Sequence, residues 1–98
     1  MNPPIRDKSH LEVIWQGVQT GVIDVIGSDH APHTFEEKNK PYNFAPSGFP
    51  GIETSLPVML NFANQGSCSI EEISRWMSQK PAELYNIPQK GRIEVGFD

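Results

Sequence analysis

Cysteine is nearly absent. Cys68 stands alone in 98 residues, so neither an internal disulfide nor a thiolate metal cluster can form, which suits a reducing cytoplasm. Basic residues are few and scattered, 8 Lys and Arg against 12 Asp and Glu for a net charge of −4. That balance gives no electrostatic footprint for nucleic acid or for an anionic membrane surface. Long apolar runs are missing too: no stretch approaches the roughly 18 residues of a membrane span, and the N-terminus has no basic-then-apolar signal pattern. The expectation is a soluble, cytoplasmic chain that meets a small molecule, with no nucleic acid and no membrane as partner. Length is the last shortage. A chain this short buries only about 60 to 65% of the surface its unfolded form exposes, too little for a large enzyme core.

Proline and glycine are plentiful and divide the chain. Met1 to Arg6 contains the Pro3-Pro4 pair, which lacks backbone donors and reads as an extended segment or loop. Ser9 and Glu12 have capping-box spacing, Leu11, Ile14, Trp15 and Val18 recur at helical intervals, and Gly21 is placed as a stop; this predicts a one-sided helix of about 12 residues. Val22 to Ile26 is a β-branched run that reads as a strand closing in Gly27 and Ser28. Ala31 to Gly51 has no periodicity and reads as a long loop of the kind that is functional or disordered. Ile52 to Gln65 reads as a helix with Leu56, Met59, Leu60 and Ala63 on one face, with Pro57 tolerable in a first turn. Ser69 and Glu72 repeat the capping box ahead of Ile70, Ile73, Trp76 and Met77. Pro81 is expected to start a short third helix through Leu84 and Tyr85, and Gly91 to Val95 looks like the beginning of a strand. Trp15, Trp76 and Met77 lie on helical stripes and are expected in the core.

An extended segment, a helix, a strand with polar residues at its end and another helix is the grammar of βαβα units in a parallel sheet, so the fold class is α/β. Parallel strands are covered on both faces, yet only one convincing strand is present. The last residues stop in the middle of what should be a strand or turn. Residues 1–98 therefore read as one partial domain truncated at both ends, mostly helical with one or two strands.

Chemistry concentrates in Ser28-Asp29-His30-Ala31-Pro32-His33, one carboxylate and two imidazoles just past a strand's end, where barrel enzymes place catalytic groups. A carboxylate there can ligate a metal ion and pass a proton between metal-bound water and a leaving nitrogen, and an imidazole can bind an anionic group. The pattern alone equally permits Asp29 to cap a turn and His30 and His33 to be ordinary loop residues.

Four segments in register carry a resemblance. Met1-Asn2-Pro3-Pro4-Ile5-Arg6, Ile23 to Gly27, Ser28 to Thr34 with Glu37-Lys38, and Ser47 to Thr54 together resemble the dihydroorotase signature, and Lys80-Pro81-Ala82 and Gly91-Arg92-Ile93 look like that family too. The resemblance implies a place in the amidohydrolase superfamily, whose fold is a (β/α)8 TIM-type barrel with one or two metal ions, commonly zinc, at its C-terminal face. This chain would supply about the last two βα units, with residues 22–28 as the eighth strand and Asn2 after the seventh. The reaction implied is the metal-dependent, reversible hydrolysis of the cyclic amide of L-dihydroorotate to N-carbamoyl-L-aspartate in pyrimidine biosynthesis. By resemblance Asp29 is catalytic, as metal ligand and proton shuttle. Asn2 and His33 match positions that grip the substrate carboxylate, and Pro50 and Gly51 match a glycine-rich stretch whose backbone bonds the ring amide. Asn2 could instead be a turn residue, Glu37 and Lys38 a solvated loop face, and His30 is left as structural or as a support for the site.

The family's His-x-His pair, its bridging Lys or carboxylate and two further histidines have no counterpart here. His10 falls inside a helix start and matches no ligand position. One carboxylate cannot build a metal site that normally uses three or more protein ligands, and a whole barrel needs about 250 residues, so the fragment itself is expected to be inactive. Three other readings compete. A related allantoinase or hydantoinase is disfavoured by His33 and the Gly48 to Thr54 segment. A non-catalytic dihydroorotase-like subunit could scaffold aspartate transcarbamoylase, and a small binding domain is the last alternative. The resemblance also allows the parent to be a homodimer or to act in complex with the transcarbamoylase.

Overall fold

A computed structural model describes residues 2–98, so Met1, the head of the expected extended segment, lies outside the described residues. The chain forms α1 (His10–Gln19), α2 (Phe35–Lys38), a 3-10 turn (Tyr42–Phe44), α3 (Ile52–Asn64), α4 (Ile70–Ser74), a π-helical turn (Arg75–Gln79) and α5 (Lys80–Leu84).

Local chemistry explains most helix ends, with one correction. Ser9 is already in the helical region, φ −59° and ψ −22°, and its side chain makes no cap. A capping side chain must start from a non-helical residue to reach back to the first free N–H groups. Asp7 does this instead: its carboxylate accepts the Ser9 N–H at 2.9 Å. That bond holds the Asp7 carboxyl below its ordinary range. The capping box at Ser69 and Glu72 forms as its spacing predicts, with reciprocal bonds of 2.8 and 3.1 Å. At the other ends, Ser67 and Gly66 donate to Phe62 and Ala63 after α3, and Ile87 and Asn86 donate to Ala82 and Glu83 after α5. Both are paired closures that satisfy the last carbonyls of a helix.

The core is small. Val18, Met59, Ile73 and Trp76 are buried, with Trp15, Ile23, Ile26, Phe62, Ala63, Cys68 and Met77 packed around them. Trp15 meets Phe62 edge-on at 5.0 Å and Trp76 at 6.4 Å between ring centroids, so α1, α3 and the π turn share one aromatic contact. The expected core places of Trp76, Trp15 and Met77 hold; Leu56, Leu60 and Ile70, expected on apolar faces, are exposed.

The expected strands do not form among the described residues. Residues 22–28 run without a helix, but a ladder needs a second strand's donors and acceptors, and none lies alongside. The segment is tied down by two other bonds: the Ile23 N–H donates to Gly17 at 2.9 Å and the Ile26 N–H to Trp76 at 3.1 Å. Gly91 to Val95 likewise turns back on itself, with Phe97 bonded to Glu94 and Asp98 to Gln89.

The short helix expected at Pro81 forms as α5 with the proline at its start, but it is not a separate helix. The chain continues from α4 through the π turn into α5 without a break. In the π register the Lys80 N–H bonds the Arg75 carbonyl, so the Trp76 carbonyl would next require a donor at residue 81. Proline has no N–H. The Trp76 carbonyl is thereby free for Ile26, and a proline in one helix anchors the extended segment that leads to Asp29. Pro57 also departs from expectation, lying in the second turn of α3 rather than the first.

Candidate active site

The expected loop from Ala31 to Gly51 contains α2 and the 3-10 turn, and its far limb is bonded along its length to its near limb. Lys38 Nζ donates to the Pro46 and Gly48 carbonyls, both at 2.8 Å. His33 Nε2 donates to the Ser47 carbonyl at 3.1 Å. The Ala31 N–H donates to Phe49 at 3.1 Å, and His30 Nδ1 accepts the Gly51 N–H at 3.0 Å and the Ile52 N–H at 3.2 Å. α2 itself begins in a capping box, the Thr34 N–H donating to the Glu37 carboxylate at 2.8 Å. That backbone bond is the main reason the Glu37 carboxyl sits below its ordinary range.

Glycine makes the close approach between the limbs possible. A Cβ at Gly51 would stand 2.9 Å from the Ser28 carbonyl oxygen, and one at Gly48, where φ is +101°, only 2.5 Å from the Ala31 side chain. The near limb therefore carries Asp29 to a fixed place beside the glycine-rich far limb.

Asp29 is exposed and adopts φ +44°. This is the left-handed region, which Asp enters more readily than most residues because its short polar side chain bonds locally. Among the described residues no hydrogen bond is made to its carboxylate, so it faces solvent as a free acceptor rather than as a turn cap. His33 is placed differently. A carbonyl can only accept, so Nε2 carries the proton, while Nδ1 stands 3.7 Å from the Glu37 carboxylate. Asn2 lines an open cleft of about 510 Å³ with Pro4, Lys38, Tyr42, Asn43, Ala45 and Ser47. Ser47, the partner of His33, also lines that cleft, whereas His33 and Asp29 do not. Gly51 is buried. Its N–H is given to His30 and its carbonyl accepts from the Ser55 N–H and hydroxyl, so of the Pro50-Gly51 pair the Pro50 carbonyl is the group without a partner among the described residues.

Asp29 supplies the right donor type for a zinc ion, but among the described residues no three His, Cys, Asp or Glu side chains are grouped to hold a metal. These residues alone do not fit a metal centre. Contacts of Lys38, Thr34, Glu37 and His30 go beyond the sequence reading. Lys38 was readable as a solvated face, yet it clamps two carbonyls. Thr34 and Glu37 have the same capping-box spacing as Ser69 and Glu72, a signal that was present and unused. His30, expected to be structural or a support for the site, is brought by the fold to the start of α3.

Comparison with known proteins gives a consistent picture. The profile described as the amidohydrolase family matches residues 6–98. The dihydroorotase of Anoxybacillus flavithermus is 41% identical over 97 residues, a stretch covering 98% of this chain and 22% of that protein. The dihydroorotase of Halobacterium salinarum is 41% identical over 98 residues, 100% of this chain and 23% of the relative. Among solved structures, the L-hydantoinase (dihydropyrimidinase) from Arthrobacter aurescens superposes with a TM-score of 0.88 at 42% identity, over 98% of this chain and 22% of that one. A D-hydantoinase from Bacillus sp. AR9 does so with a TM-score of 0.88 at 34% identity, again over 98% and 22%. The chain spans less than a quarter of the length of the relatives it matches.

Proposed function

The chain belongs to the amidohydrolase family, and from that premise we propose that it is the C-terminal part of a dihydroorotase, which hydrolyses the cyclic amide of L-dihydroorotate reversibly to N-carbamoyl-L-aspartate. The observation that carries this reading is the free Asp29 carboxylate, held beside a strapped loop in which His33 is bonded to Ser47. In the complete (β/α)8 barrel, residues 22–28 would gain the ladder partners they lack here and Asp29 would stand at the C-terminal face. Zinc, as one or two ions, belongs to the proposal for that complete protein, with Asp29 offering one ligand; when bound it would supply a water acidic enough to attack near neutral pH.

The chain's own residues have the following parts. Asp29 accepts the proton lost by the attacking water and returns it to the ring nitrogen as the amide bond breaks, a general base and then a general acid. Asn2 and His33 bind the substrate carboxylate; for His33 this means that the carboxylate replaces the Ser47 carbonyl on Nε2. A charged acceptor makes the stronger bond, so the exchange favours the ligand. The Pro50 carbonyl accepts the ring N–H. Pyrimidine synthesis in the cytoplasm is the setting proposed, with a homodimer or a complex with aspartate transcarbamoylase as the assembly.

A second reading has its own support. The 42% identity to an L-hydantoinase favours a cyclic-amide hydrolase acting on rings without a carboxylate. One experiment separates the two and tests Asp29. The full-length protein that carries this chain is assayed for hydrolysis of dihydroorotate and of an unsubstituted hydantoin, as wild type and as Asp29→Asn. The proposal expects turnover of dihydroorotate in preference to hydantoin and a loss of at least about 100-fold in the variant, the lower end of what one acid–base group contributes. Preference for hydantoin would install the second reading, and an active Asp29→Asn enzyme would remove Asp29 from the chemistry.

A further inference from the structure

The N-terminus of α3 is satisfied in an unusual way. Its first residues are preceded by Gly51, which has no side chain to cap with, and no local side-chain cap is made. The first N–H groups of a helix need acceptors. Here the acceptor arrives from 21 and 22 residues earlier in the chain: His30 Nδ1 takes the Gly51 and Ile52 N–H groups together. A local cap would fix the helix only to itself. This one fixes α3 to the turn that carries Asp29.

Two independent contacts support the same junction. The Ala31 N–H donates to the Phe49 carbonyl, and Gly51 lies so close to Ser28 that a Cβ would approach its carbonyl oxygen to 2.9 Å. Residues 28–31 and 49–52 therefore meet through a backbone bond, a steric contact and the imidazole. The imidazole also has a defined chemical state. A nitrogen that accepts two N–H groups carries no proton, so the neutral ring carries its proton on Nε2.

We propose that His30 is a positioning residue: in its Nε2–H tautomer it locks the Gly51-Ile52 backbone to the Asp29 turn, and so holds the reacting carboxylate at a set distance from the Pro50 carbonyl. This rests on the dihydroorotase-type reading for the roles of Asp29 and Pro50. The bond itself, and the tautomer it imposes, do not depend on that reading. Displacing a reacting group by about 1 Å costs on the order of 100-fold in rate, so a loosened junction is read in turnover.

The test uses the full-length protein with three substitutions. In His30→Asn the side-chain oxygen stands where Nδ1 stood and can accept the same N–H groups. His30→Gln places its polar atoms near the former Nε2, and His30→Ala offers nothing. The proposal expects kcat on dihydroorotate to fall about 100-fold in the Ala and Gln variants, with His30→Asn restored to within about tenfold of wild type. An Asn variant as slow as Ala, or a Gln variant as fast as wild type, overturns it. Nitrogen NMR of the wild-type imidazole supplies a readout free of activity: the proton is expected on Nε2, and a proton on Nδ1 overturns the proposal. A wild-type protein that turns over neither dihydroorotate nor hydantoin defeats the functional reading, while the tautomer measurement still decides the positioning bond.

Discussion

Gly51 has no room for a methyl group. Its position is set by the Ser28 carbonyl on one side and by His30 on the other, so Gly51→Ala must push the two limbs of the loop apart. Overpacking of this kind costs about 1 to 3 kcal/mol, and denaturant unfolding of the full-length protein should record a loss in that range; an unchanged midpoint would mean that the limbs do not meet as described. The carboxylates of this region also set an acid limit. The Thr34 N–H lowers the Glu37 carboxyl below its ordinary value of 4.5. A group depressed on folding contributes stability above its unfolded value, and that contribution is lost as pH falls through the folded one. Protection of the amides in residues 34–48, taken relative to the intrinsic exchange rate at each pH, should therefore hold from neutral pH down to about 4.5 and fall only below it. A loss of protection that begins near neutral pH would point instead to a histidine.

At the scale of elements, the consequential feature is the π turn ahead of Pro81. It leaves the Trp76 carbonyl for the Ile26 N–H, which joins the helical layer to the extended segment before Asp29. Replacing the proline by alanine supplies a competing donor inside the helix. In Pro81→Ala the Ile26 bond should weaken by about 1 kcal/mol, the net value of an ordinary hydrogen bond, and its amide should exchange roughly fivefold faster. An Ile26 amide as protected as in wild type would show that the carbonyl is held by other means.

The whole molecule is open. A chain of this length packed as an ordinary domain has a radius of gyration of about 13 Å, against 16.2 Å here, with a long axis of 52 Å. Leu11, Ile14, Val22, Leu56, Leu60 and Ile70 are all exposed. Apolar faces of that extent require cover by further protein, which agrees with relatives more than four times as long as the matched stretch. The 98-residue polypeptide made alone should bind a hydrophobic dye such as ANS and melt without a sharp transition. A single cooperative melt with no dye binding would establish it as an independent domain and count against the barrel proposal.

Much of this could be read along the chain, because helix caps and apolar stripes are set by residues three or four apart. The Ser69 capping box, the stop at Gly21, the core place of Trp76 and the family signature around Asp29 all follow from near neighbours in sequence. The Ser9 cap failed because Ser9 is already in the helical region, and Asp7 accepts its N–H. That residues 22–28 lack ladder partners was legible in the single convincing strand, whereas the bent end at Gly91 was not, since a strand exists only when another strand lies beside it. Tertiary structure alone decided that Lys38 clamps two carbonyls, that His33 rests on Ser47 and that His30 caps α3. Those bonds join residues 8 to 22 positions apart, and no local preference encodes a distance that only the folded loop closes.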